Sequence, residues 1–216
     1  MFQNTVKNWH LLITIIAVTF SISYIFNQFL LTRDIYYNTF QSQLESARID
    51  ELFDLQLKYL WIGYLVIPVW ITLKNLIITL CLQIGLLLNN SKLKFSHTFR
   101  IALTAEFVFL LPQLIKLIWF LLVKTNYTLT DVQQFYPLSA LNLFNIENLS
   151  ALSIYPFQTF NLFEIMYWII LAGGIKQALN TDINKGIKVV FSGYIPALAL
   201  WLLCVMFITV SLSPAT

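Results

Sequence analysis

Lys74, Glu106, Lys116 and Glu164 are ionisable side chains embedded in stretches that are otherwise apolar. A charge held at bilayer depth costs at least about 2.5–3.5 kcal/mol on insertion scales, so it pairs with an opposite charge or lines a wet cavity. Paired, these residues would form structural bridges between helices. Facing a common space, they would form a polar track for protons, ions or a small solute. Depth along each helix, at about 1.5 Å per residue, sorts them. Lys116 precedes Lys124 by eight residues and Glu164 follows Phe160 by four. They therefore lie about 12 Å and about 6 Å from one end of the bundle, close enough to meet if the lysine snorkels. Glu106 follows Phe99 by seven residues, about 10 Å from the opposite end. Lys74 precedes Leu88 by fourteen residues, about 21 Å, and reaches the depth of Glu106 if its span ends nearer Leu80.

Other polar groups carry less chemistry. Gln83 and Gln113 read as interhelical hydrogen-bond donors, and His10 and His97 as interfacial anchors at the ends of their spans. Cys81 and Cys204 each sit in an apolar run without CxxC spacing or a histidine nearby, and read as small buried apolar side chains. No HExxH, GxSxG or P-loop spacing occurs, nor a Ser/His or Asp/Asp set at matched depth for an intramembrane hydrolase. The chain is expected to be non-enzymatic, without cofactor or metal.

The elements that must position these residues are long apolar helices. Only 11% of the 216 residues are charged, against about 25% in an ordinary soluble domain. A net charge of +3 with no dense basic run offers no nucleic-acid footprint. A helix needs about 20 apolar residues to cross about 30 Å of hydrocarbon. Residues 9–31, 59–88, 99–123, 160–179 and 187–212 meet that requirement. The expected fold is an all-α polytopic bundle of five spans forming a single membrane domain over residues 1–216. The first apolar stretch exceeds a signal-peptide core of about 7–15 residues and reads as a retained span. The second is too long for one straight crossing, so it tilts, kinks at Pro68 or extends beyond the membrane.

Pro68, Pro112 and Pro196 each free a carbonyl and tend to kink a span. Gly173, Gly174 and Gly193 offer close helix contacts. Trp9, Tyr59, Trp61, Trp119 and Tyr167 read as an interfacial aromatic belt. Outside the spans, residues 36–57 read as an amphipathic helix that lies on the surface or leads straight into the second span. Residues 138–154 read as a short interfacial helix; were they to cross, the spans would number six.

Charge is sorted between the two sides. Lys7, Lys92, Lys94, Arg100, Lys176, Lys185 and Lys188 share one side with a single acid, Asp182. Arg33, Arg48, Lys58 and Lys124 share the other with Asp34, Glu45, Asp50, Glu51, Asp54, Asp131 and Glu147. The lysine-rich side is expected to be cytoplasmic, with the N-terminus inside and the C-terminus outside.

An internal echo links Asn142-Leu-Phe-Asn-Ile to Asn161-Leu-Phe-Glu-Ile. Asn is a good helix cap, and Glu164 stands at the third helical position after Asn161, so both copies are expected to mark helix starts.

The second copy, followed by Ala172-Gly-Gly-Ile-Lys176, Lys185-Gly-Ile-Lys188 and Tyr194-Ile-Pro196, resembles bacterial members of the Yip (Ypt-interacting protein) family. Phe95-Ser-His-Thr-Phe-Arg100 leading to Leu110-Leu-Pro112 is similar to that family's basic-aromatic entry into its third span. The resemblance covers about residues 90–210. It implies five spans, a cytoplasmic N-terminus, no known catalytic residues and, in a bacterium, an inner-membrane location; eukaryotic relatives act in vesicle trafficking with small GTPases. The expected role is an accessory or scaffold in the bilayer, with other membrane proteins or further copies of itself as partners. The alternative is a small transporter or channel subunit using Lys74, Glu106, Lys116 and Glu164.

Overall fold

The computed structural model describes residues 7–144 and 149–212, and the side chain of Ala151 is not among its described features. Glu147 and the Asn145-Ile146 end of the first echo copy lie outside the described residues. Helix dominates, and the described residues contain no strand; one isolated bridge pairs Ser139 with Asn161. Among the described residues nine α-helices follow in order: α1 (Asn8–Phe29), α2 (Arg33–Phe40), α3 (Ser46–Leu88), α4 (Phe95–Glu106), α5 (Leu110–Ile118), α6 (Leu129–Gln134), α7 (Ala151–Thr159), α8 (Leu162–Leu179) and α9 (Ile183–Leu212).

Five helical stretches are long and apolar enough to cross a membrane: Asn8–Phe29, Ser46–Leu88, Phe95–Val123, Leu162–Leu179 and Ile183–Leu212. They are the five expected spans, and the chain is a multi-pass membrane protein. Large side chains on their outer faces, such as Val69, Leu122, Leu200 and Phe207, are exposed. In a bilayer these face lipid rather than water.

Hydrogen bonds at the helix ends fix the threading. Asn8 Nδ2 donates to Ser96 O and Arg100 Nε donates to Asn8 Oδ1, so α1 and α4 begin at one end of the bundle. Asn89 Nδ2 donates to Ser192 Oγ, which places the end of α3 and the beginning of α9 at that end too. At the opposite end, Tyr127 Oη donates to the carbonyl of Leu30 and Leu129 N–H donates to Thr39 Oγ1.

The second span is far longer than a bilayer requires. α3 holds 43 residues without interruption, about 64 Å at 1.5 Å per residue. All its charges but Lys74, namely Arg48, Asp50, Glu51, Asp54 and Lys58, fall in the first third, so that third projects as a stalk and the mostly apolar remainder crosses. Of the two sequence readings, this segment leads straight into the span. Residues 36–57 are nevertheless not one helix. The chain turns at residues 41–45, and α2 folds back on the stalk. The reversal lets Tyr36 meet the edge of Phe53 and donate to Gln56 Oε1, while Arg33 bridges Asp50 and Asp54 at 3.2 Å each.

The third span begins at Phe95 and is segmented. A 3-10 turn at Phe107–Phe109 separates α4 from α5, and a π-turn at Trp119–Val123 ends the span. Pro112 explains the first break: it has no N–H for the carbonyl of Val108, and its ring crowds that carbonyl, so the preceding turn tightens. Pro68 and Pro196 lie inside helices that continue through them.

The main core lies where α3, α4, α8 and α9 meet, around Leu82, Ala102, Ala105, Tyr167, Leu171 and Val189. Glycines set its closest approaches. A Cβ at Gly85 would strike the carbonyl of Val189, one at Gly193 the carbonyl of Cys81, and one at Gly186 the carbonyl of Ala172. Gly174 faces Ile101, but Gly173 has open space around it, so only one of that expected pair packs. Tyr167 is no belt residue either: its ring is fully buried in this core, whereas Trp9, Tyr59, Trp61 and Trp119 are exposed. Cys204 is exposed on α9 and Cys81 is partly buried, so neither is the buried apolar side chain expected of it.

Residues 124–144 and 149–161 form a cap at the end opposite Asn8. They open with a capping box between Thr128 and Asp131, to which Lys124 Nζ adds an ion pair at 2.7 Å. Burial alone would raise the Asp131 carboxyl, but hydrogen bonds from Lys124 and Thr128 outweigh it and hold the group below the ordinary carboxylate range. Residues 138–154 are not one interfacial helix: a 3-10 turn at Ala140–Leu143 and the separate helix α7 occupy the region. Ala140 N–H donates to Phe160 O and Leu162 N–H to Leu138 O, so the excursion starts and ends side by side, and neither described helical piece within it is long enough to cross. Asn142 lies within the 3-10 turn and caps nothing; its amide donates to Tyr136 O.

Candidate functional site

Lys74 and Glu106 form an ion pair of 2.8 Å between the second and third spans. The sequence placed them together only if α3 stopped short, yet α3 runs on to Leu88. The depth closes from the other side. α4 starts at Phe95, which puts Glu106 about 16 Å into the bundle, and the long lysine bridges the remaining few ångströms. Lys74 Nζ also lies 4.0 Å from the ring centroid of Phe109, in the 3-10 turn that Pro112 imposes. The kink thus brings an aromatic face against the cation.

Glu164 starts α8 in a buried setting. Asn161 Oδ1 accepts from its backbone N–H at 2.8 Å, so the expected cap is present. Its carboxylate does not complete a capping box. Oε1 instead accepts from Trp168 Nε1, one turn on, and from Tyr194 Oη on α9, both at 2.7 Å. Measured from the end that holds Leu179, Glu164 lies about 22 Å deep, level with Lys74. Lys74 and Glu106 lie near enough for their charges to act on it. The three groups make one polar layer within the bundle.

Lys116 stays outside that layer and does not meet Glu164. Its ammonium sits 5.8 Å from the ring centroid of Phe26 on α1 and 5.6 Å from that of Tyr136 in the cap. Snorkelling could have closed the expected few ångströms of depth between them, but the two side chains point to different sides. Glu164 turns toward α9, whereas the 3-10 turn aims α5 at α1 and the cap.

Lys74, Glu106 and Lys116 line a single open cavity of about 490 Å³. Its walls come from α1 (Ile15, Thr19), α3 (Trp70, Ile71) and α5 (Gln113), and the cap adds Tyr136, Ser139, Tyr155 and Gln158 to the lining. Of the two glutamines singled out in the sequence, Gln83 donates to Thr98 Oγ1 at 2.9 Å and so joins two spans as expected. Gln113 faces the cavity and makes no hydrogen bond with a described residue. Inside the layer, Glu106 Oε2 and Tyr167 Oη are buried without a hydrogen-bond partner. Sequence reasoning missed Tyr136, Tyr155 and Gln158 because nothing local ties the cap to the spans. Trp168 was readable, since it follows Glu164 by four residues on one helical face.

Fold and site together define an all-α polytopic membrane protein with a mostly apolar cavity among its spans into which Lys74, Glu106 and Lys116 project. Compared with protein-family models, with curated proteins and with solved structures, the chain shows no match.

Proposed function

We propose that this protein is a non-enzymatic carrier or channel component that receives a small polar solute in the cavity between α1, α3, α5 and the cap. The observation that carries the reading is convergence: charged and amide side chains from separate spans face one open space, and its volume falls within the range of about 300–1,000 Å³ typical of ligand pockets. A purely structural ion pair is served best by close packing around it. Here Lys74 keeps 29% of its side chain exposed and a Glu106 oxygen is left unbonded. The lysine-rich end supports a cytoplasmic N-terminus, with the cap on the far face of a bacterial inner membrane.

The test is flux from proteoliposomes loaded with a labelled carboxylate, amine and sugar. The reading predicts efflux of at least one of them, abolished by Lys74→Met and by Glu106→Gln in protein that still elutes as a folded species. Absence of flux of any of the three from folded wild-type protein would instead favour the Yip-like accessory role. In that role the ion pair only holds spans together and the partners are other membrane proteins.

A further inference from the structure

The charges that line the cavity do not balance: Lys74 and Glu106 pair, Lys116 forms no ion pair with any described carboxylate, and the Glu164 carboxylate is turned away to Trp168 and Tyr194 and is not part of the lining. Its only described neighbours of note are the faces of Phe26 and Tyr136. A partly buried ammonium on a mostly apolar wall, with no carboxylate paired to it, selects an anion.

The hydrogen-bonding groups around it share that preference. Gln113 precedes Lys116 by three residues on α5 and so shares its face. Neither the Gln113 amide nor the Gln158 amide bonds to a described residue, so both offer free N–H donors to the cavity. Tyr155 Oη accepts from Trp201 Nε1 at 2.8 Å, which leaves its own hydrogen free to donate. The rest of the lining is mostly apolar, with the rings of Trp70, Phe109, Phe135 and Tyr136 prominent.

We infer that the cavity binds a monoanion, a carboxylate or phosphate group carried on a compact apolar body, with Lys116 as the charged grip and Gln113, Gln158 and Tyr155 as donors. This rests on the solute reading above and narrows it to one chemical class. The group arrives either on a free organic acid or on an anionic lipid headgroup entering from the bilayer, and the chemistry of the grip is the same for both.

The full chain in nanodiscs of phosphatidylcholine alone is titrated with benzoate and, separately, with benzylamine, which has a similar ring and the opposite charge. Benzoate is expected to bind one per chain and benzylamine not at all. Lys116→Met should weaken benzoate at least about tenfold, the loss of one charged hydrogen bond, whereas Lys116→Arg should stay within about threefold. Gln113→Leu, which leaves every charge in place, provides a second variant should Lys116→Met fail to fold, and should weaken benzoate by several-fold. Adding phosphatidylglycerol to the nanodisc separates the sources: competition with benzoate assigns the site to a lipid headgroup, and unchanged benzoate affinity assigns it to a free acid.

Undiminished benzoate binding in Lys116→Met, or no benzoate binding in the folded wild type, would overturn the inference. Benzylamine binding in place of benzoate would overturn it while leaving the broader solute reading intact. Loss of that broader reading shows instead in the flux experiment.

Discussion

Lys74 and Glu106 hold opposite charges in contact between the second and third spans, with the ring of Phe109 against the ammonium. Each was conspicuous because a lone charge in an apolar run demands an explanation, but depth arithmetic paired them only with a second span ending near Leu80, whereas α3 runs to Leu88 and the earlier start of α4 closes the gap. Glu164 and Lys116 passed the same test and stand apart, because depth is one coordinate and direction around the helix is another. Direction was set here by the turn before Pro112 and by the phenol of Tyr194, neither of which follows from counting residues. The pair itself makes a prediction. Removing one partner leaves a buried charge, so Lys74→Met or Glu106→Gln alone should cost about 3 kcal/mol, the low end for a buried pair because Lys74 is partly exposed. The double change should lie within about 1 kcal/mol of wild type. Thermal or chaotrope unfolding in detergent checks this through the coupling energy of the cycle. Additive single effects would mean that the two groups do not stabilise each other.

At the scale of elements, helix existence was legible and helix contact was not. The five apolar runs announced the spans, but which glycines mark crossings depended on how the helices face one another. Gly85 and Gly186 drew no notice in the sequence, whereas Gly173 did and touches nothing. Gly85→Ala should therefore destabilise by about 1–3 kcal/mol through overpacking against the Val189 backbone. Gly173→Ala should be neutral or stabilise by up to about 1 kcal/mol through helix propensity. Melting temperatures of the two variants in one detergent decide the point. The cap offers a pH prediction. Because Asp131 is held below its ordinary value, its contribution is fully present above its unfolded-state pKa of about 3.9 and is lost as pH falls through the lower folded value. Hydrogen-exchange protection of residues 129–134, corrected for intrinsic rates, should be flat from neutral pH down to about 4 and fall below it. Asp131→Asn should remove that acid step. The Thr128-x-x-Asp131 spacing could have been read from the sequence as a cap; its ion pair with Lys124 required the fold.

For the whole molecule, the all-α bundle and its five crossings could be anticipated from composition and run length, since lipid allows few other solutions to backbone hydrogen bonding. The cavity could not be anticipated, because it is assembled from α1, α3, α5 and a cap of short, irregular pieces whose ends are tied by the Ser139–Asn161 bridge. Its existence as a water-reachable space among the spans is the claim on which the solute reading stands. Cysteine accessibility tests it most directly. In protein with Cys81 and Cys204 replaced by Ala and reconstituted in liposomes, Gln113→Cys places a thiol on the cavity wall and Leu200→Cys places one on the exposed apolar face of α9. A charged, membrane-impermeant thiosulfonate added on the side of the cap should modify the thiol at position 113 and leave that at 200 untouched. A position 113 as inert as position 200, or one that reacts only from the opposite side, would contradict the account.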